Sequence, residues 1–219
     1  MRPEDNLPDF HQRLLAWFAD HQRMYPWRST ENPFHLLMSE LMLRRTRADQ
    51  VVDVYNNFVE KYPDPATLAA ADPDTVAADL YSLGLAWRIP AFQQLAHALV
   101  TEFDGQVPDD YRALTTLPGV GDYVASAVCS FVFGQPIAVI DTNTVRIIGR
   151  LYGIEVHAES RRKKDVRTLI QNVMNTADPA LHNFAMLDLA ALVCTPSAPA
   201  CDACPVQQYC EYGREQVVE

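Results

Sequence analysis

"LPGVGDYVASAVCSFVFG", residues 117–134, is the stretch whose reading decides the fold. A Pro and two glycines two apart make a tight turn, and an unbroken apolar run with helical spacing follows it. A short helix in "VPDDYRALTT" (107–116) runs into the turn, so the segment reads helix, hairpin, helix. Pro118 fixes one torsion, while Gly119 and Gly121 are expected to permit positive φ and close backbone approach. Free N–H groups in the first turn of the second helix can hold one phosphate of DNA with no help from a basic side chain. Leu117, Gly119, Val120 and Gly121 are therefore candidate DNA-contacting residues; a turn that serves only helix packing fits the same residues. Tyr123, the second residue after the turn, is a candidate site residue.

Outward from this segment, helical periodicity dominates in both directions and strand-like alternation is nearly absent. The reading is all-α. An amphipathic helix holding Leu14, Leu15, Trp17 and Phe18 ends before "YPWR" (25–28). Residues 32–62 hold two helices, the first capped by Asn32 with Pro33 at its first position. Two short helices follow, each opened by an Asp-Pro step, and Gly84 closes the second. Further helices are expected in "IPAFQQLAHALVTEF" (89–103) and over 122–134, 142–152, about 160–176 and 180–193. "PIAVI" (136–140) fits a short strand, but a buried extended link is the simpler reading.

The 219 residues carry a net charge of −10, which on its face opposes nucleic-acid binding. The basic residues, 15 Arg and only three Lys (Lys61, Lys163 and Lys164), cluster in "RRTR" (44–47) and "RRKKDVR" (161–167). An acidic average can therefore hide a basic face. No apolar run of membrane-spanning length and no signal-peptide pattern occurs, so the cytoplasm is expected.

Cys194, Cys201, Cys204 and Cys210 read C-x6-C-x2-C-x5-C among interleaved prolines. In a reducing compartment such spacing points to a metal centre. A structural zinc usually takes two short C-x2-4-C knuckles, and only one is present; the long unequal spacings suit a [4Fe–4S] cubane, with zinc the alternative. Cys129, on an apolar helix face, reads as a small buried hydrophobe. Asp141, in "VIDTNTVRIIGRLYG" (139–153), precedes a helix; it is an N-cap or a carboxylate kept ionised by the helix dipole for chemistry.

Together, "LPGVG", "VIDTNTVRIIGR" and the cysteine tail resemble the helix–hairpin–helix DNA glycosylases with an iron–sulfur cluster, the superfamily of endonuclease III and MutY-type adenine glycosylase. The likeness runs from "YPWR" to Cys210. It implies two all-α lobes: a six-helix barrel at 29–135, and a second lobe of 1–28 plus 136–219 carrying a [4Fe–4S] cluster on Cys194, Cys201, Cys204 and Cys210. It also implies an active-site cleft between the lobes, with the hairpin and Asp141 on opposite sides.

Endonuclease III-like members carry Lys at the position of Tyr123, an amine that attacks the sugar and leads to strand cleavage. A Tyr there, with no lysine near in sequence, implies a monofunctional hydrolase similar to the mismatch-specific thymine glycosylases. "LMLRRTRADQV" (41–51) looks like the same subgroup. Asp141 is then the catalytic carboxylate, and Tyr123 lies against the flipped base. Glu40, flanked by Leu37, Met38, Leu41 and Met42, aligns with the glutamate that protonates adenine in MutY-type enzymes. Arg45 fills the vacated stack with Arg44 beside it, and Leu85 sits in a second wedge loop with Trp87, for which a core position is an equal reading. Arg146 and Arg150 face DNA or pair with acids inside the lobe. The implied partner is duplex DNA with a mismatched base, bound by a nucleoid-associated monomer. An abasic-site endonuclease would act downstream. Adenine excision opposite 8-oxoguanine and non-catalytic damage binding are the alternatives.

Overall fold

The structure, a computed structural model, describes residues 1–84 and 86–216. The chain forms two compact units, Met24–Phe133 and Met1–Arg23 with Gly134–Glu219. Among the described residues there is no strand, and no helix is long and apolar enough to cross a membrane.

The unit Met24–Phe133 begins after α1 (Leu7–His21, in the other unit) and holds α2 (Pro33–Met42), α3 (Ala48–Lys61), α4 (Pro65–Ala70), α5 (Pro73–Leu80), α6 (Pro90–Glu102), α7 (Tyr111–Thr116) and α8 (Asp122–Phe131). Side-chain caps start four of these helices where the sequence places them. Asn32 Oδ1 accepts from Phe34 N at 2.9 Å, Asp64 from Thr67 N at 2.7 Å, Asp72 from Thr75 N at 2.9 Å and Asp110 from Ala113 N at 2.8 Å. Each such cap contributes about 1 kcal/mol. α2 is buried along nearly its whole length and packs on α3 and α8, while α4 packs on α6. Cys129 is fully buried on α8, and burial pushes its thiol up to about 11, so it behaves as a small apolar residue.

The other unit contains α1, α9 (Thr142–Tyr152), α10 (Lys164–Asn172), α11 (Pro179–Leu192) and α12 (Glu211–Gln216). α11 packs on α1 and α9, and α9 also packs on α10 and α12. Asp188 of α11, fully buried, accepts from Arg23 N at 2.9 Å and Arg23 Nε at 2.6 Å, which anchors the exit of α1.

One expectation changes. The expected helix at 160–176 is a 3-10 turn, Ala158–Arg162, then α10, because Lys163 is extended at φ −73° and ψ 131°. The link 136–140 is a connecting segment and not a strand, as the simpler reading has it, and side-chain amides pair its main chain. Gln171 Oε1 accepts from Ala138 N and Asn183 Oδ1 from Val139 N, both at 3.0 Å, while the Asn183 and Gln171 amides donate to Ile137 O and Pro136 O. Buried main-chain groups are satisfied without a sheet.

Candidate active site

In the hairpin, Gly119 adopts φ +78°, the left-handed region that a side chain disfavours, and a Cβ there would touch Ala91 Cβ at 3.4 Å. Gly121 departs from expectation. Its φ of −108° is extended, so conformational freedom is not its role. It is the N-cap of α8, offers no side-chain cap, and has open space where a Cβ would stand. Leu117 and Val120 are buried, so their side chains anchor the turn and only their main chain can meet a ligand. Arg44 Nη1 donates to Gly119 O at 3.0 Å, holding the turn from the end of α2. Tyr123 is half-buried in the first turn of α8.

Glu40 is only 3% exposed on α2, a carboxyl group carried inside an apolar helix face. Arg45 follows α2 with its side chain exposed and φ at +59°, an uncommon backbone state for a long side chain. Trp87 is 69% exposed and is not a core residue. Leu85 lies outside the described residues.

In the other unit Asp141 caps α9. Its Oδ1 accepts from Asn143 N and Thr144 N, each at 2.8 Å, and Thr144 Oγ1 accepts from Asp141 N at 2.9 Å in return. Its Oδ2 accepts from Asn143 Nδ2 at 2.6 Å. The N-cap reading and a fixed carboxylate are thus the same geometry. Arg146 and Arg150 turn out to hold the cysteine tail. Arg146 donates to Asn143 Oδ1, Cys194 O and Ala190 O at 2.9–3.0 Å. Arg150 donates to Cys194 Sγ at 3.2 Å and to Thr195 O and Pro196 O at 2.8 Å, and its guanidinium lies 4.9 Å from the Tyr212 ring centroid.

Cys194, Cys201, Cys204 and Cys210 line one cavity, closed by Val193, Pro199, Ala200 and Gly213. Burial raises the Cys201 and Cys210 thiols and pushes Cys204 up to about 12, with the neighbouring cysteines adding to each rise. Four thiols crowded in an apolar cradle are the donor set of an iron–sulfur group, whose positive iron would offset that cost. Gly213 N donates to Cys210 Sγ at 3.3 Å, and a Cβ on Gly213 would lie 3.5 Å from that sulfur. Sequence reasoning missed α12, which supplies this contact, and Tyr209, whose hydroxyl ties the tail to Asp9 of α1 at 2.6 Å.

Residues 38–175 match the HhH-GPD superfamily base excision DNA repair proteins, and residues 194–210 match the iron–sulfur binding domain of endonuclease III. The chain is 37% identical over 204 residues to a thymine/uracil-DNA glycosylase of Pyrobaculum aerophilum, covering 90% of this chain and 88% of the relative. An adenine DNA glycosylase of Mus musculus is 34% identical over 94% of this chain and 42% of its own length. A solved thermostable thymine-DNA glycosylase superposes with TM-score 0.88 and 28% identity, covering 97% of this chain and 98% of that one. The carboxylate at the head of α9, the hairpin and the cysteine cradle therefore belong to a DNA glycosylase with a [4Fe–4S] cofactor, and the chain is a member of the HhH-GPD superfamily of base excision DNA repair proteins.

Proposed function

We propose that the protein is a monofunctional glycosylase that removes thymine or uracil mispaired with guanine. The observation that carries the reading is the phenol of Tyr123 on α8, on a chain with only three lysines. Lys61 ends α3 and is paired with Asp79 at 2.7 Å, and Lys163 and Lys164 stand at the start of α10. No lysine lies on α8 or α9, the elements that carry Tyr123 and Asp141, so Schiff-base chemistry has no evident lysine amine.

A glycosidic bond inside a duplex is out of reach, so the nucleotide is flipped out at a cost of about a few kcal/mol, least for a mismatch. The first turn of α8 and the main chain of Gly119 and Gly121 hold a backbone phosphate. Arg45 fills the vacated stack, with Arg44 bracing the hairpin beside it. Tyr123 offers its ring face and hydroxyl to the pyrimidine. Asp141, held by Asn143 and Thr144, stabilises the positive charge that develops on the sugar as the base departs with the bonding pair. Water adds to the sugar carbon, and its proton goes to a carboxylate. Glu40, buried on α2, positions water or hydrogen-bonds the base. Cys194, Cys201, Cys204 and Cys210 ligate the cluster, which supplies the cross-link that shapes their loop. The protein acts as a cytoplasmic, nucleoid-associated monomer, and an abasic-site endonuclease takes its product.

Single-turnover assays on G·T, G·U and A·8-oxoguanine duplexes test this. G·T and G·U should yield free base and strand breaks only after alkali. Breaks without alkali, or adenine release with inert G·T, would overturn the proposal.

A further inference from the structure

Arg88, which ends a 3-10 turn at Ala86–Arg88, is only 6% exposed, and its described partners are four neutral oxygens. Nη1 donates to Arg44 O and, at 3.5 Å, to Leu41 O; Nη2 donates to Thr46 Oγ1 at 2.7 Å and to Leu83 O at 3.3 Å. Burying a cation on neutral partners is costly, and an apolar side chain would fill the space more cheaply. The location explains what is gained. Leu41 and Arg44 stand at the C-terminal end of α2, where unpaired carbonyls carry partial negative charge. Arg44 and Thr46 flank Arg45, and one guanidinium pins both. Between the two fixed points Arg45 is held at φ +59°, a conformation unfavourable for a non-glycine residue that persists only where its surroundings enforce it. The same Nη2 also reaches Leu83 O, and Thr46 Oγ1 donates to that carbonyl at 3.3 Å, so Leu83 and the turn Ala86–Arg88, which carries exposed Trp87, join one network.

We propose that Arg88 is a positioning residue: it sets the backbone of Arg45 so that the Arg45 side chain is presented to the DNA stack before DNA arrives, and it locks that wedge to Leu83 and the turn Ala86–Arg88. The inference rests on the assignment of Arg45 as the residue that fills the vacated stack. Because Arg44 Nη1 also holds Gly119 O, the hairpin turn, the Arg45 turn, Leu83 and the turn Ala86–Arg88 form one hydrogen-bonded frame inside a single unit.

The test is a double-mutant cycle read by single-turnover rate, on whichever of G·T, G·U and A·8-oxoguanine the parent processes fastest. Its variants are Arg45→Ala, Arg88→Met and Thr46→Val, with Arg88 and Thr46 changed in both the parent and the Arg45→Ala background. Arg88→Met should slow excision by roughly tenfold to 10²-fold, the scale of a small misplacement. Thr46→Val, which removes one pinning contact from a half-buried site, should slow it by less. Both effects should vanish once Arg45 is Ala, because there is no wedge left to position. Equal losses in both backgrounds would overturn the inference while leaving Arg45 as the wedge. An unchanged rate for Arg45→Ala would overturn the wedge assignment and the inference with it. Should Arg88→Met fail to fold, Thr46→Val decides by the same criterion.

Discussion

Asn143 Nδ2 donates to Asp141 Oδ2 at 2.6 Å, and the other end of that amide, Oδ1, accepts from Arg146 at 3.0 Å. Asp141 is therefore aimed by Asn143, whose amide is held by Arg146, and Arg146 in turn donates to the carbonyl of Cys194. Asp141→Asn can still cap α9, so its melting temperature should stay near the parent's while the single-turnover rate falls by about 10²–10³-fold or more. Full activity in that variant would remove Asp141 from the mechanism. Asn143→Ala should fold and lose rate by a smaller factor.

Tyr123 predicts the form of the product. Borohydride added during turnover should trap no covalent protein–DNA adduct, because a trapped adduct needs an amine on the sugar. An adduct seen with the parent protein would show that a nucleophilic amine reaches the sugar.

The cysteine cradle predicts what its loss does. Cys204→Ala should bleach visible absorbance, lower the iron content and depress the melting temperature, since the loop 194–210 is held by short turns and by Arg150. Arg150→Ala keeps all four thiols but loses the contacts to Cys194 Sγ, Thr195 O and Pro196 O. It should assemble the cluster and lose it faster in air than the parent, as followed by the decay of that absorbance.

His182, buried on α11 with Nδ1 lacking a hydrogen-bond partner among the described residues, predicts a pH dependence. Burial, with His11 nearby, pushes its pKa down to about 3. The unfolded chain binds this proton below about 6.5, the folded chain only below about 3, so between these values the unfolded state holds more protons. The stability contribution is complete above about pH 6.5 and falls by up to about 1.4 kcal/mol per unit as the pH drops towards 3. Denaturant melts between pH 4 and 7, on the order of the window these values define, should show that slope, and His182→Leu should flatten it.

The ion pair of Asp188 and Arg23 predicts a stability loss without a catalytic one. Asp188→Asn leaves the partly exposed Arg23 facing a neutral group and should cost about 1.5–3 kcal/mol, seen as a lower denaturant midpoint. A change below about 0.5 kcal/mol would mean the pair does not anchor α1.

Legibility followed the range of the interaction. Helix starts at Asn32, Asp64, Asp72 and Asp141 could be read because a cap and its N–H partners lie within three residues. The break at Lys163 could not, because "RRKKDVR" has helix-permissive composition and neither Gly nor Pro. Sequence assigns positive φ to Gly119 and Gly121 alike because two glycines in a turn look the same; only the backbone shows that, of the two, Gly119 alone adopts it. The pattern leaves Arg146 and Arg150 ambiguous because most of their partners are main-chain oxygens more than 40 positions away, which no side-chain pattern announces. Arg88 escaped notice for the same reason.

The hairpin turn is finished before any ligand comes. Gly119 sits in its left-handed state against Ala91, Leu117 and Val120 are sunk into the core, and Arg44 clasps the turn from behind. The ordering entropy of such a seat is spent when the chain folds, not when DNA docks, so a single weak contact there can be used in full. With the phosphate contact proposed above, an acidic enzyme that grips through such a finished seat would need no strong general attraction to its polymer, and would let go of intact DNA quickly.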